Sequence, residues 1–156
     1  MYNVAVVGAT GMVGRKMLEI LEEYNFPVKS LSLFASARSA GEKVSWKNKD
    51  YTVETLNENS FDRPLDFAFF SAGGEISTTF APIAEANGVI VIDNSSAWRM
   101  DPRIALIVPE VNFADLDLDK AKIIANPNCS TIQSVLPLKA LAEKFTLKRV
   151  AYTTYQ

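Results

Sequence analysis

The chain holds a single cysteine, Cys129, which stands between Asn126-Pro127-Asn128 and Ser130-Thr131. Most lone cysteines are small buried hydrophobes, so the neighbours decide the reading. An asparagine after a proline, followed by residues at helical spacing, starts a helix at about residue 129. Free amides and the positive end of the helix dipole favour a thiolate there. A thiolate can attack an acyl phosphate or an aldehyde and divide one difficult step into two. The competing arrangement has Asn128 merely capping the helix and Cys129 packed inside.

A second block lies near the other end of the chain. Gly8-Ala9-Thr10-Gly11-Met12-Val13-Gly14 follows an apolar run and opens a helical pattern. Backbone donors in such a turn converge at a helix N-terminus, which suits a pyrophosphate, so the turn reads as a nucleotide site. The end of the next apolar run bears on which nucleotide. An NAD site offers a carboxylate there for the ribose 2′-hydroxyl; this sequence reads Ala35-Ser36-Ala37-Arg38-Ser39, with no acid. A guanidinium with neighbouring hydroxyls binds a 2′-phosphate, which favours NADP over NAD. The bland alternative is a solvated loop arginine.

These groups need a scaffold to hold them. Apolar runs alternate with amphipathic helical patterns, which predicts an α/β fold with a mostly parallel sheet and helices on both faces. Strands are expected over residues 3–7, 31–35, 65–70, 89–92, 105–108 and 122–125. Val13, Met17, Ile20, Leu21 and Tyr24 are expected to form the sheet-facing stripe of the first helix, which Pro27 closes. Residues 43–46 and 51–56, with a turn at 48–50, read as a surface hairpin. The run 65–70 ends in Ser71-Ala72-Gly73-Gly74, as expected of a buried strand that meets a ligand. The helix after it places Ile76, Phe80, Ile83 and Ala84 on one face and stops at Gly88. The helix from residue 129 contains Pro137, where a kink costing about 3 kcal/mol is expected, and a last strand is expected over 149–155. No internal repeat, low-complexity tract or linker interrupts the pattern.

A chain of 156 residues, 48% of them apolar, is long enough to bury one core. The net charge of −2 comes from interspersed acids and bases and offers no basic stripe, which argues against a nucleic-acid partner. No apolar stretch is long enough to span a bilayer, and the first residues read neither as a basic leader nor as a cleavage site. One cysteine forms no internal disulfide, and the expectation is a soluble cytoplasmic protein. No metal-ligand set is apparent, and histidine is absent.

Six blocks in order carry a resemblance that covers essentially the whole chain. They are the glycine-rich turn, Ser36-Ala37-Arg38-Ser39, Ser71-Ala72-Gly73-Gly74, Asp93-Asn94-Ser95-Ser96 with Arg99, Val108-Pro109-Glu110-Val111-Asn112, and Asn126-Pro127-Asn128-Cys129-Ser130-Thr131. Together they resemble aspartate-β-semialdehyde dehydrogenase. The resemblance implies a Rossmann-type NADP-binding domain over residues 1–127. It also implies the start of an α+β catalytic and dimerisation domain, its first helix and strand, over 128–156. By the same resemblance Cys129, with Asn128 beside it, forms an acyl-thioester, and Gln156 positions the intermediate. Arg99 with Asn94 binds the phosphate, although spacing alone would make Arg99 a surface residue. Thr10, Gly11, Met12, Val13, Arg38, Ser39, Ser71, Ala72 and Gly73 hold NADP, alongside Gly8, Gly14 and Ser36 of the blocks above.

The implied reaction interconverts L-aspartyl-4-phosphate and L-aspartate-4-semialdehyde plus phosphate, feeding lysine, threonine and methionine synthesis. The family uses a histidine to manage protons, and this chain has none. Its chains continue well beyond this length, carry that histidine there, and form homodimers or homotetramers through the further domain. The resemblance therefore implies a truncated chain with little activity alone. N-acetyl-γ-glutamyl-phosphate reductase is the nearest rival, but its cysteine is typically followed by Tyr-Pro rather than Ser130-Thr131. In glyceraldehyde-3-phosphate dehydrogenase the second strand normally ends in an acid. A non-catalytic NADP-binding regulator on the same fold is the rival of another class.

Overall fold

The computed structural model describes residues 1–155. Its strands are β1 (Tyr2–Val7), β2 (Val28–Ala35), β3 (Lys43–Trp46), β4 (Lys49–Thr55), β5 (Phe67–Phe70), β6 (Ile90–Asp93), β7 (Ala105–Leu106) and β8 (Ile123–Ala125). The helices are α1 (Met12–Glu23), α2 (Gly74–Ala86), the short α3 (Pro109–Asn112) and α4 (Cys129–Ala142). One eight-stranded sheet runs in the order β3-β4-β2-β1-β5-β6-β8-β7, parallel throughout except for the β3–β4 pair. This is the predicted α/β fold of Rossmann type.

The sheet separates two apolar layers because successive side chains of a strand point to opposite faces. On one face Ala5, Val7, Ala68, Phe70 and Val91 pack beneath Ala81 and Ala84 of α2. Phe34, Phe61 and Phe70 are fully buried there, with Phe61 6.0 Å from each of the other two rings. Each such ring contributes about 1.5–3 kcal/mol by burial. On the other face Val4, Val6 and Leu33 pack against Leu18 and Leu21 of α1.

Three expectations change. The inward face of α1 is Gly14, Leu18 and Leu21, while Val13, Ile20 and Tyr24 are exposed. Gly14 must lie against the carbonyl of Gly8, where any Cβ would collide, and this contact sets the rotation of the helix. The 43–55 region is no detached surface hairpin, because β4 joins β2 in parallel. Trp46 is buried against α1, its Nε1 donating to the Leu18 carbonyl at 2.8 Å. The turn between β3 and β4 sits at Lys47 and Asn48, both at positive φ, one residue earlier than expected. Finally, no strand forms over 149–155 among the described residues. A strand requires a partner for its backbone donors and acceptors, and residues 149–155 have no neighbouring strand to pair with. Pro137 does not interrupt α4; the ring and Gln133, whose carbonyl it leaves unbonded, both lie on the exposed side.

Candidate functional site

Strand order reverses beside β1, which pairs with β2 on one side and β5 on the other. At such a switch point the C-terminal ends of the strands diverge and leave a crevice. A cleft of about 360 Å³ opens there, lined by Val7, Gly8, Thr10, Gly11, Ala35, Ser36, Ser71 and Ala72, with Leu56, Ile76 and Phe80 as an apolar wall. The glycine turn is built for close approach. Gly8 has φ +87°, and a Cβ on it would stand 2.8 Å from the Ser71 carbonyl oxygen. The Gly11 amide donates to Gly8 O at 3.1 Å, and Arg15 Nε donates to Thr10 O at 3.1 Å, which fixes the turn from outside.

The N-terminus of α1 has no side-chain cap. Its N-cap residue is Gly11, and no acidic residue lies in its first turn. The amides of Met12, Val13 and Gly14 are thus left for an anion. Met12 and Val13 are themselves exposed, so the backbone and not the side chain is what they offer the cleft. Ser71 closes the opposite wall, its hydroxyl donating to Val7 O at 3.2 Å, and Gly73 at φ +91° leads into α2. Arg38 and Ser39 occupy the 3-10 turn Ala37–Ser39 directly after β2; Arg38 is exposed and close in sequence to the cleft residue Ser36.

The second cluster forms where β6 and β8 end side by side. Asn94 follows β6 and Asn126 follows β8. The Asn126 Nδ2 donates to Asn94 Oδ1 at 2.6 Å, and the Asn126 amide donates to Asp93 O at 2.8 Å. Arg99 spans both segments, with Nε donating to Asn126 O at 3.0 Å and Nη2 to Asn94 O at 3.2 Å. It is half-buried, not the surface residue that spacing alone implies, and its Nη1 has no acceptor among the described residues. The backbone then passes through buried Pro127 to Asn128 and Cys129.

Cys129 is the first residue of α4 and is exposed. Asn128 does cap that helix, its Oδ1 accepting from the amides of Ser130 at 3.0 Å and Thr131 at 3.3 Å and from the Ser130 hydroxyl at 2.7 Å. Capping and an outward thiol, read as alternatives from the sequence, therefore coexist. The Asn128 side chain takes the Ser130 and Thr131 amides, so the field of the helix end remains at Cys129 while those donors do not. Gln156 lies outside the described residues.

The structure thus brings the glycine turn, Ser36, Ser71 and Ala72 into one cleft, and Asn94 with Arg99 onto the segment leading to Cys129. Sequence reasoning missed Asn126 as a member of the second cluster, although it stands in the cysteine block. It also missed the apolar wall. Ile76 and Phe80 are expected on one face of α2 with Ile83 and Ala84, and their periodicity does not distinguish a sheet contact from a cleft wall.

A sequence model of the semialdehyde dehydrogenase NAD-binding domain matches residues 3–118. Over 157 aligned residues the chain is 58% identical to an aspartate-semialdehyde dehydrogenase of Aquifex aeolicus, covering 99% of this chain and 46% of that one. Among solved structures, aspartate semialdehyde dehydrogenase II of Vibrio cholerae complexed with ASA superposes with a TM-score of 0.85 at 46% identity. That match covers 92% of this chain and 47% of the other. Aspartate semialdehyde dehydrogenase of Candida albicans with NADP gives 0.79 at 28% identity, over 93% and 48%. The chain spans about half the length of the relatives it matches. No helix among the described residues is long and apolar enough to cross a membrane.

Proposed function

This chain belongs to the semialdehyde dehydrogenase family and carries its NAD-binding domain, and on that premise we propose that it serves an NADP-dependent, phosphorylating aspartate-semialdehyde dehydrogenase. The observation that carries the reading is the pairing of an uncapped glycine-turn helix with an exposed Cys129 behind an arginine clamp. The residues present fit a dinucleotide. Gly8 and Gly14 let the turn close tightly against Ser71 and against α1, which brings the uncapped first-turn amides of α1 to the cleft where a pyrophosphate would lie. Leu56, Ile76 and Phe80 suit the flat face of a base. Arg38, with Ser36 and Ser39, would hold a ribose 2′-phosphate. Reduced nicotinamide bound there would supply hydride to an acyl carbon.

The chain's own residues do the rest. The Cys129 sulfur attacks the acyl carbon of L-aspartyl-4-phosphate; a C–S bond forms, the C–O bond to phosphate breaks, and phosphate leaves. Arg99, with one guanidinium nitrogen unspent and Asn94 and Asn126 locking the other two edges, receives the phosphoryl oxygens. Cys129 holds the acyl group as its thioester and would leave as the thiolate once hydride from the bound cofactor reached that carbon, freeing L-aspartate-4-semialdehyde. Proton transfer in these steps is not performed by a histidine of these 156 residues, which contain none. Residues 128–156 are read as the opening of the catalytic and dimerisation part, and the lysine, threonine and methionine routes as the destination of the product.

Incubation with L-aspartyl-4-phosphate should release phosphate and leave one aspartyl adduct on Cys129, detected by mass spectrometry of tryptic peptides. Adduct on other residues in place of Cys129, or none, would sink the proposal.

A further inference from the structure

We infer that Asp93 is a positioning residue for the anion-binding side of this site, its buried carboxylate setting where the loop after β6 delivers Arg99. The inference rests on the reading of Arg99 as the group that receives an anion beside Cys129. Asp93 ends β6 in register with Phe70 of β5 and Ala125 of β8, both buried and apolar. An apolar residue would serve the core at that position, yet the side chain is a carboxylate with no exposed surface. Its Oδ1 has no hydrogen-bond partner among the described residues. Burying a half-bonded carboxylate is costly, and such a cost asks for a purpose other than packing.

The bonds it does make supply that purpose. Asp93 Oδ2 accepts from the Ser95 amide at 3.1 Å and from the Ser95 hydroxyl at 2.6 Å, and Ser95 Oγ in turn accepts from the Ala97 amide at 3.1 Å. The next residue, Trp98, is tethered at the other end, its Nε1 donating to the buried Ser77 hydroxyl of α2 at 2.8 Å. Residues 94–98 are thus held at both ends, and Arg99 emerges where it reaches Asn94 O and Asn126 O. The Asp93 backbone carbonyl meanwhile binds the Asn126 amide. One residue therefore sets the spacing between the arginine and the segment bearing the cysteine.

The test uses the single cysteine as reporter and inorganic phosphate as probe. In the parent chain, phosphate should slow alkylation of Cys129 by iodoacetamide in a saturable manner, and Arg99→Ala should abolish the protection. Asp93→Ala should raise the half-protecting phosphate concentration about ten-fold or more, as expected when charge-assisted bonds are lost. NADPH affinity, read at a cleft whose lining includes neither Asp93 nor Ser95, should stay within about two-fold. Asp93→Asn keeps an oxygen acceptor for Ser95 and should hold the phosphate value within about three-fold of the parent. If Asp93→Ala does not fold, Ser95→Ala decides, with an expected rise of about three-fold or more. Unchanged phosphate protection in the variants overturns this inference alone. So does a parallel loss of phosphate and NADPH binding that Asp93→Asn fails to rescue, which marks a merely structural residue. Absence of protection in the parent chain overturns the Arg99 reading as well.

Discussion

Arg99 Nε donates to the carbonyl oxygen of Asn126 at 3.0 Å, so the loop after one strand is bonded to the segment that follows another. The same guanidinium reaches Asn94 O, so two backbone carbonyls share one cation, and the Asn126 side chain bonds that of Asn94 beside them. A planar fork holds two separated donors in fixed directions; a lysine ammonium gathers its three donors at one point on a flexible stem and matches two separate carbonyls less well.

Arg99→Lys should therefore lose one of the two carbonyl contacts and destabilise the fold by about 1 kcal/mol. Urea unfolding followed by circular dichroism measures this. An unchanged midpoint would show that the two bonds contribute nothing to stability.

Substitutions in the glycine turn should grade by position. Gly8→Ala combines φ +87° with a Cβ 2.8 Å from Ser71 O, a cost of about 2–4 kcal/mol. Gly14→Ala sits inside α1, where alanine is ordinarily worth about 1 kcal/mol over glycine, but its Cβ would collide with Gly8 O and the sign should reverse. Gly11→Ala meets Gly8 O at a tolerable 3.3 Å with ordinary extended φ and should cost less than about 1 kcal/mol. Thermal melts of the three variants, ranked, check the order.

Arg38→Ala should weaken NADPH binding about ten-fold or more while leaving NADH binding unchanged, because only the phosphorylated ribose uses the guanidinium. Fluorescence titration with both nucleotides separates the cases, and equal losses for the two would mean that Arg38 does not read the 2′-phosphate.

Asp101 shows a pH effect with a definite sign. The side chain of Arg103, through hydrogen bonds from Nη2 at 2.6 Å and Nε at 3.0 Å, is the main cause that lowers the Asp101 carboxyl from 3.8 to about 2; the Arg103 amide adds to it. A carboxyl depressed in the folded state contributes stability that is present above 3.8 and fades as pH falls through about 2. Arg103→Gln should move the Asp101 midpoint back up toward 3.8, seen by carboxyl carbon NMR titration. Stability at neutral pH should hardly change, since the pair lies at the surface.

Much of this architecture is legible in residue order. The β1 run, the glycine turn, the stop at Gly88 and the buried run before Ser71 each combine local propensity with a turn that only a few residues permit. What escaped notice depends on contacts between distant elements. Gly14 adds nothing to a hydrophobic stripe, yet its lack of a side chain lets α1 approach the Gly8 carbonyl, with Leu18 buried and Met17 only half-buried. Trp46 alternates with Val44 as any surface hairpin could, and nothing local reveals that β2 is the next neighbour of β4. The half-buried place of Arg99 is not legible from spacing, because its bonding partners are backbone carbonyls, which every residue possesses.

No side chain of the helix that begins at Cys129 is fully buried; Ile132, Val135 and Leu138 are half-buried, and Leu136 and Leu141 face outward. The helix's bonds to the sheet are concentrated at one end, where buried Pro127 follows the Asn126–Asp93 and Arg99–Asn126 bonds, and α3 is the helix it touches. Thermal loosening should accordingly unzip this helix from its far turns inward. The sulfur would keep its address after most of the helix that displays it had come undone.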